Sequence, residues 1–217
     1  MIVGKVVEVK ENGKAVIEAD INIHKYIKQN IKECIVEYKD SRPLSDVQRK
    51  MCYALINAIA EHTGNSTQDI KEYFKLEFWS SRVESLADKI FSLSNAPMSL
   101  VAEFQRFLIN FVLENDIPTK RPLLEYVDDI DHYVYMCLIH KKCCICGKKS
   151  DLHHIDTIGM GNDRTEVQHE GREAMSLCRE HHNEMHQIGK QDFFKKYHFN
   201  NGVKIDKTLL KIYGLRR

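Results

Sequence analysis

Residues 143–186 read CCICGKKSDLHHIDTIGMGNDRTEVQHEGREAMSLCREHHNEMH, and two metal-ligand spellings are threaded through that stretch. Cys143-x-x-Cys146 is answered by Cys178-x-x-His181, and the pair His153-His154 by His182-x-x-x-His186. Tetrahedral zinc is commonly held by two short ligand pairs on tight turns, and C-x-x-C is the tightest usual form of such a pair. Cys143 and Cys146, with Gly147 completing the turn, make the first pair; Cys178 and His181 make the second. The expectation is a structural Zn2+ knuckle closing a loop long enough for a strand hairpin and the start of a helix. The plainer alternative, a cluster of buried free cysteines, leaves the paired spacing on both sides without a reason.

Inside that loop the run Asp-Leu-His-His-Ile (151–155) reads as a short strand, on which neighbouring side chains diverge. The two histidines are therefore expected to divide their labour, one on a metal ion and its neighbour taking a proton from water. REHHNEMH (179–186) has helical composition, and His182 and His186 at i and i+4 share a helix face, as a chelating pair on a helix must. Two or three imidazoles on one divalent ion with open positions suit phosphodiester hydrolysis. A histidine base works near neutral pH without a large shift. The competing reading makes several of the 11 histidines surface residues of a purely structural zinc module.

Outward from this stretch the chain changes character. Residues 136–217 hold 15 Lys and Arg against 10 Asp and Glu, and residues 1–135 hold 17 against 21, so a net charge of +1 hides a basic tail and a mildly acidic front. That asymmetry predicts two domains, 1–135 and 136–217, with the basic one suited to nucleic acid. In the front, β-branched runs at 3–9 and 14–17 flank Asn12-Gly13, a hairpin signal, and residues 33–38 make a third strand candidate. Helical periodicity starts at Ser45, where Ser45 and Gln48 spell a capping box and Gly64 marks the stop. A second helix is predicted over 67–79. A third follows Pro97, with Val101, Phe104, Leu108, Phe111 and Val112 on one face, and ends before Pro118. Residues 122–140 read as a further helix leading into the cysteines. The expected class is α+β: strands then helices in front, a ββα-metal unit behind.

Seven cysteines form an odd set without disulfide spacing. Cys144, Cys34, Cys52 and Cys137 read as packing residues. No stretch has the length of a membrane span and the first residues lack the apolar core of a signal peptide, so the expected compartment is the cytoplasm, with no membrane partner.

The combination C-x-x-C, L-H-H-I, a glycine-containing loop and L-C-x-x-H-H-x-x-x-H resembles the HNH endonucleases over about residues 140–198. The resemblance implies a ββα-metal core buttressed by zinc, with His153 a metal ligand, His154 the general base, His182 a metal ligand and His186 a further one. It implies Mg2+ or another divalent ion such as Mn2+ or Ni2+ at that second site, and DNA as substrate. Glu173 stands at the position of the family's middle asparagine, nine residues before the helix ligand, and is the candidate for orienting the base. A glutamate accepts hydrogen bonds without reproducing both faces of an amide. His169 lies near this position and reads equally as a loop residue. Arg164, with Gly159 and Gly161 in the connecting loop, is a candidate phosphate contact.

The front is similar, in the helix start RPLSDVQRKM (42–51) and in element order over about residues 1–130, to phage recombination mediators of the lambda Orf and NinB type. That resemblance implies a homodimer binding single-stranded or branched DNA, working with single-strand-binding protein in the cytoplasm of a bacterial host. Arg42, Arg49, Lys50, Lys71, Lys75 and Arg82 are its candidate phosphate contacts, each also readable as a solvated helix charge. Together the two resemblances imply a phage-type DNA recombination or processing protein with an HNH endonuclease unit. The alternative is a mediator whose zinc module is architectural and inactive.

Overall fold

The computed structural model describes residues 4–10, 15–19, 42, 44–81, 91–127, 129–155 and 168–215. The third strand candidate at 33–38, Cys34, Arg82, Gly159, Gly161 and Arg164 lie outside the described residues. The chain divides into two compact units, Met1–Lys39 and Asp40–Arg217.

In the first unit, strands β1 (Gly4–Val9) and β2 (Ala15–Ala19) pair antiparallel, as the Asn12-Gly13 signal predicts, with a register shift between Val6 and Glu8.

The second unit is α+β. Helix α1 (Asp46–Thr63) starts where the capping box predicts, with the Gln48 amide donating to Ser45 Oγ at 3.1 Å. It stops at Gly64, whose φ of 71° closes the helix in the left-handed region that a side chain disfavours. Helix α2 (Thr67–Ser80) is capped by Ser66, and α3 (Met98–Glu114) follows Pro97. Val101, Phe104, Leu108 and Val112 of the predicted α3 face are buried, and Phe111 packs against them. Phe74 and Phe78 of α2 meet Phe104, Phe107 and Phe111 of α3 and the neighbouring Phe91, most of the rings edge to face with centroids 4.7–6.1 Å apart. Aromatic pairs prefer this geometry because ring edges are positive and faces negative.

The stretch 122–140 forms a short 3-10 turn (Leu123–Tyr126) and then helix α4 (Ile130–His140), capped by Asp129 Oδ1 on the His132 amide at 3.1 Å. Helix α4 packs on α3 and also on strands β4 and β5 and on the last helix. It buries Tyr133, Val134, Cys137 and Leu138. Residue 135, the boundary expected from the charge split, thus falls inside a helix that touches the elements on both sides of it.

After the cysteine turn, β3 (Asp151–His154), β4 (Glu173–Leu177) and β5 (Val203–Lys204) form an antiparallel sheet in the order β3-β4-β5. Helix α5 (Arg179–Ile188) leaves β4 through Cys178, completing the ββα arrangement, and α6 (Lys190–Tyr197) and α7 (Lys207–Tyr213) follow. Cys144, Ala174, Met175, Phe193, Ile205 and Leu209 are buried in the core around this sheet. Among the described residues no helix is long and apolar enough to cross a membrane.

Candidate functional site

The adjacent histidines of β3 diverge, as neighbouring side chains on a strand do. In β3, His153 pairs with Met175 and His154 with Ala174, and the side chain of His153 is buried whereas that of His154 is half-buried on the other face. Helix α5 supplies the remainder. Its N-cap is Cys178, so His181 and His182 fall in the first turn, about 100° apart around the axis. His181 turns to the cysteines and His182 to His153.

Two ligand sets result: Cys143, Cys146, Cys178 and His181 in one, His153, His182 and His186 in the other, each with its donor atoms within 4.8 Å of one another. In the first set Cys146 Sγ lies 3.7 Å from Cys178 Sγ, and His181 Nδ1 lies 3.4 Å from Cys143 Sγ and 3.2 Å from Cys178 Sγ. Zinc bonds of about 2.3 Å to sulfur and 2.0 Å to nitrogen in a tetrahedron separate ligand atoms by roughly 3.5–3.8 Å. The donor types and spacings fit zinc. The turn itself is set by backbone bonds, Cys143 N to Lys148 O at 2.7 Å and Gly147 N to Cys143 O at 2.8 Å, and by Gly147 at φ 71°. Cys144 points the opposite way into the core, and its amide bonds Ser176 O at 3.0 Å, tying the knuckle to β4.

Burial pushes the Cys143 thiol up and the Cys146 thiol up to about 12. Cys178 is also penalised by burial, but amide hydrogen bonds from the first turn of α5 and bonds from the other two thiols outweigh it and bring the thiol below its ordinary value. A thiolate is thereby favoured at the helix start.

In the second set the rings of His153 and His182 lie 4.5 Å apart, His182 and His186 4.6 Å, and His153 and His186 5.2 Å. Burial first, then the neighbouring imidazoles of His182, His186 and His154, push His153 down to about 4, and burial with His186 lowers His182. Both are held neutral, the form that ligates metal. Among the described residues, Nδ1 of His182 is buried with no hydrogen-bond partner of good geometry, an orphan of the kind a metal bond satisfies. Three imidazoles from a strand and one helix face therefore fit a divalent ion.

On the other face of β3, His154 Nε2 lies 2.9 Å from Nδ1 of His169, a contact that no spacing rule in the sequence announces. Glu173 is the first residue of β4. Its backbone carbonyl accepts from the Ile155 amide at 2.8 Å, and its carboxylate lies 3.8 Å from Lys190 Nζ at the start of α6. Arg49 and Lys50 sit in the first turns of α1, which packs on α2 and α3, and Arg49 is paired with Asp46. They are not among the elements that build the metal-ligating sets. Lys71 and Lys75 lie over the rings of Tyr53 and Phe91.

A family model described as "Putative HNHc nuclease" matches residues 15–216, well beyond the zinc-closed segment that carries the sequence resemblance. No curated protein and no solved structure matches the chain. With a ββα unit, a Cys3His set and a three-histidine set in place, and with that family model spanning nearly its whole length, the chain belongs to the HNHc nuclease family.

Proposed function

We propose that this protein is a divalent-metal-dependent endonuclease that hydrolyses DNA phosphodiester bonds, with His154 as general base. The observation that carries the reading is the pairing of three converging imidazoles with a fourth, His154, on the opposite face of the same short strand. A structural zinc module needs the first knuckle and has no use for a second, all-histidine set beside it.

His153, His182 and His186 hold the divalent ion. Mg2+, Mn2+ or Ni2+ bound there supplies Lewis-acid polarisation of the scissile phosphate and stabilises charge on the leaving 3′ oxygen. Every other part of the reaction falls to the chain's own groups. His154 takes the proton of the attacking water. Glu173, at the asparagine position of the family, holds the residue after His154 in register through its backbone carbonyl. Cys143, Cys146, Cys178 and His181 bind Zn2+ and fix the start of α5, hence the angle at which His182 faces β3. Arg164 and, on the helical region, Arg49 and Lys50 contact phosphate.

The finer role is DNA recombination or processing of the phage type, supported by the resemblance of the front of the chain to mediator proteins. It carries with it a homodimer, binding of single-stranded or branched DNA, cooperation with single-strand-binding protein and a place in the bacterial cytoplasm. Sizing by light scattering tests the dimer.

The deciding experiment incubates purified protein with plasmid, single-stranded and branched DNA in Mg2+, Mn2+ or Ni2+, beside the His154→Ala variant. Cleavage by the wild type and its loss in the variant are expected. No wild-type cleavage of any substrate, or equal cleavage by the variant, overturns the catalytic reading.

A further inference from the structure

The contact between His154 Nε2 and His169 Nδ1 joins residues that face each other across the β3–β4 connection, and the metal-site reading makes no use of it. The rings lie 4.9 Å apart, tilted by 43°, and both residues are half-buried. The backbone that carries His169 is well held. Its carbonyl accepts from the Arg172 amide at 3.2 Å, and the Arg172 Nε donates to Gln168 O at 2.7 Å. The same turn is fastened to the segment after β5 by two bonds to the buried Ile205, Gly171 N to Ile205 O at 2.8 Å and Ile205 N to Arg172 O at 2.9 Å. Gly171 takes φ 80° to make the turn. His169 therefore stands on a backbone anchored from both sides, which is what a group that must aim another side chain requires.

We infer that His169 is a positioning residue for His154: it fixes the ring orientation and the tautomer of the base. The inference rests on the nuclease reading above and names the group that makes its base competent. A hydrogen bond between two imidazoles needs one nitrogen to donate and the other to accept. With His154 Nε2–H donating to the lone pair of His169 Nδ1, the lone pair of His154 falls on its Nδ1, the atom that receives the proton of water. His169 keeps its own proton on Nε2 throughout. When the water O–H bond breaks, the proton passes to His154 Nδ1, the hydroxide oxygen attacks phosphorus, and the electron pair of the broken P–O bond leaves with the 3′ oxygen. His169 neither gains nor loses a proton, and it touches no substrate atom.

The test uses the zinc-loaded full chain with Mg2+ and three proteins: wild type, His169→Ala and His169→Asn, whose amide oxygen stands where Nδ1 does. The expected result is a kcat for His169→Ala lower by about 10- to 100-fold, the range for losing a group that orients a site residue, with KM for DNA and bound metal unchanged. His169→Asn recovers most of the rate. Nitrogen NMR of labelled histidines supplies a readout independent of activity: His154 carries its proton on Nε2 in the wild type and in His169→Asn, and populates both tautomers in His169→Ala. An unchanged tautomer in His169→Ala, or a rate equal to that of an active wild type, overturns the inference and leaves the nuclease reading standing. Recovery no better in His169→Asn than in His169→Ala also overturns it. A wild type that cleaves no DNA removes the function itself, and the inference with it.

Discussion

Cys146 Sγ and Cys178 Sγ lie 3.7 Å apart although a strand hairpin intervenes between them. That distance is far beyond a disulfide bond of about 2.05 Å and close to the edge of a zinc tetrahedron. Neither cysteine is in a disulfide. Because burial holds Cys143 and Cys146 protonated, metal uptake must release protons, and zinc affinity should rise with pH. Cys146→Ser is expected to lower the zinc content from about one ion per chain to a small fraction of that. The tail should lose its fixed packing, since the knuckle anchors β4 through Cys144. Zinc analysis and near-ultraviolet circular dichroism read both effects, and a variant retaining full zinc would sink the assignment.

The all-histidine set makes a separable prediction because its members differ in burial. His186 is exposed in the last turn of α5 and His153 is buried beneath it. His186→Ala should leave thermal stability almost unchanged, within roughly 0.5 kcal/mol as for ordinary surface substitutions. It should nevertheless weaken Mn2+ binding by about 10-fold or more, since one of three imidazoles is gone. Titration followed by the paramagnetic signal of free Mn2+ measures this. Equal Mn2+ affinity in wild type and variant would remove His186 from the set.

The helical half and the ligand spacing were readable because their determinants are local. Ser45, Gln48 and Gly64 mark both ends of α1 within the chain that makes it, and the two ligand pairs are each three residues apart. Strand alternation, a local property, is enough to turn His153 and His154 apart. His169 was not legible as a partner of His154, since their meeting depends on a turn pinned to Ile205 in a distant part of the chain. Strand β5, only Val203–Lys204, is too short to carry a pattern and exists because β4 offers it an edge. Charge, which suggested a boundary at 135, reports on surfaces; Tyr133, Val134, Cys137 and Leu138 place α4 in a core that charge counting does not see.

Helix α4 also sets a pH dependence. Burial, then the nearby Arg106, lower His132, with Asp129 opposing; burial, with Lys142 adding and Glu114 opposing, lowers His140. As pH falls below about 6.5, the unfolded chain takes up protons on these two residues before the folded chain does. Acid therefore favours unfolding, and their contribution to stability is fully present above that pH and declines beneath it. Urea midpoints between pH 7.5 and 5.5 should fall less steeply in the doubly substituted His132→Gln, His140→Gln protein than in the wild type. Parallel slopes would show that neither imidazole matters to the acid limb.

Gly202 stands directly behind the strands that carry the site. A Cβ there would lie 2.8 Å from Cγ1 of Ile155 and 3.1 and 3.2 Å from the carbonyl oxygen and amide nitrogen of Ala174. Ile155 follows His154 in the chain, and Ala174 is the register partner of His154. The side chain of Ile155 is buried and the Ala174 contacts are backbone, so neither neighbour gives way cheaply. Gly202→Ala is expected to destabilise the protein by about 1–3 kcal/mol, the usual cost of overpacking a filled core. The displaced β3 should also lower DNA cleavage and weaken divalent-metal binding, because the base His154 and the ligand His153 both sit on that strand. Adding Ile155→Ala removes the closest contact but leaves the backbone ones, so the double variant should fall in activity less than Gly202→Ala yet remain below wild type. Thermal unfolding and cleavage rates of the three proteins decide the point. A Gly202→Ala protein as stable and as active as the wild type would show that β3 is not held from behind in this way.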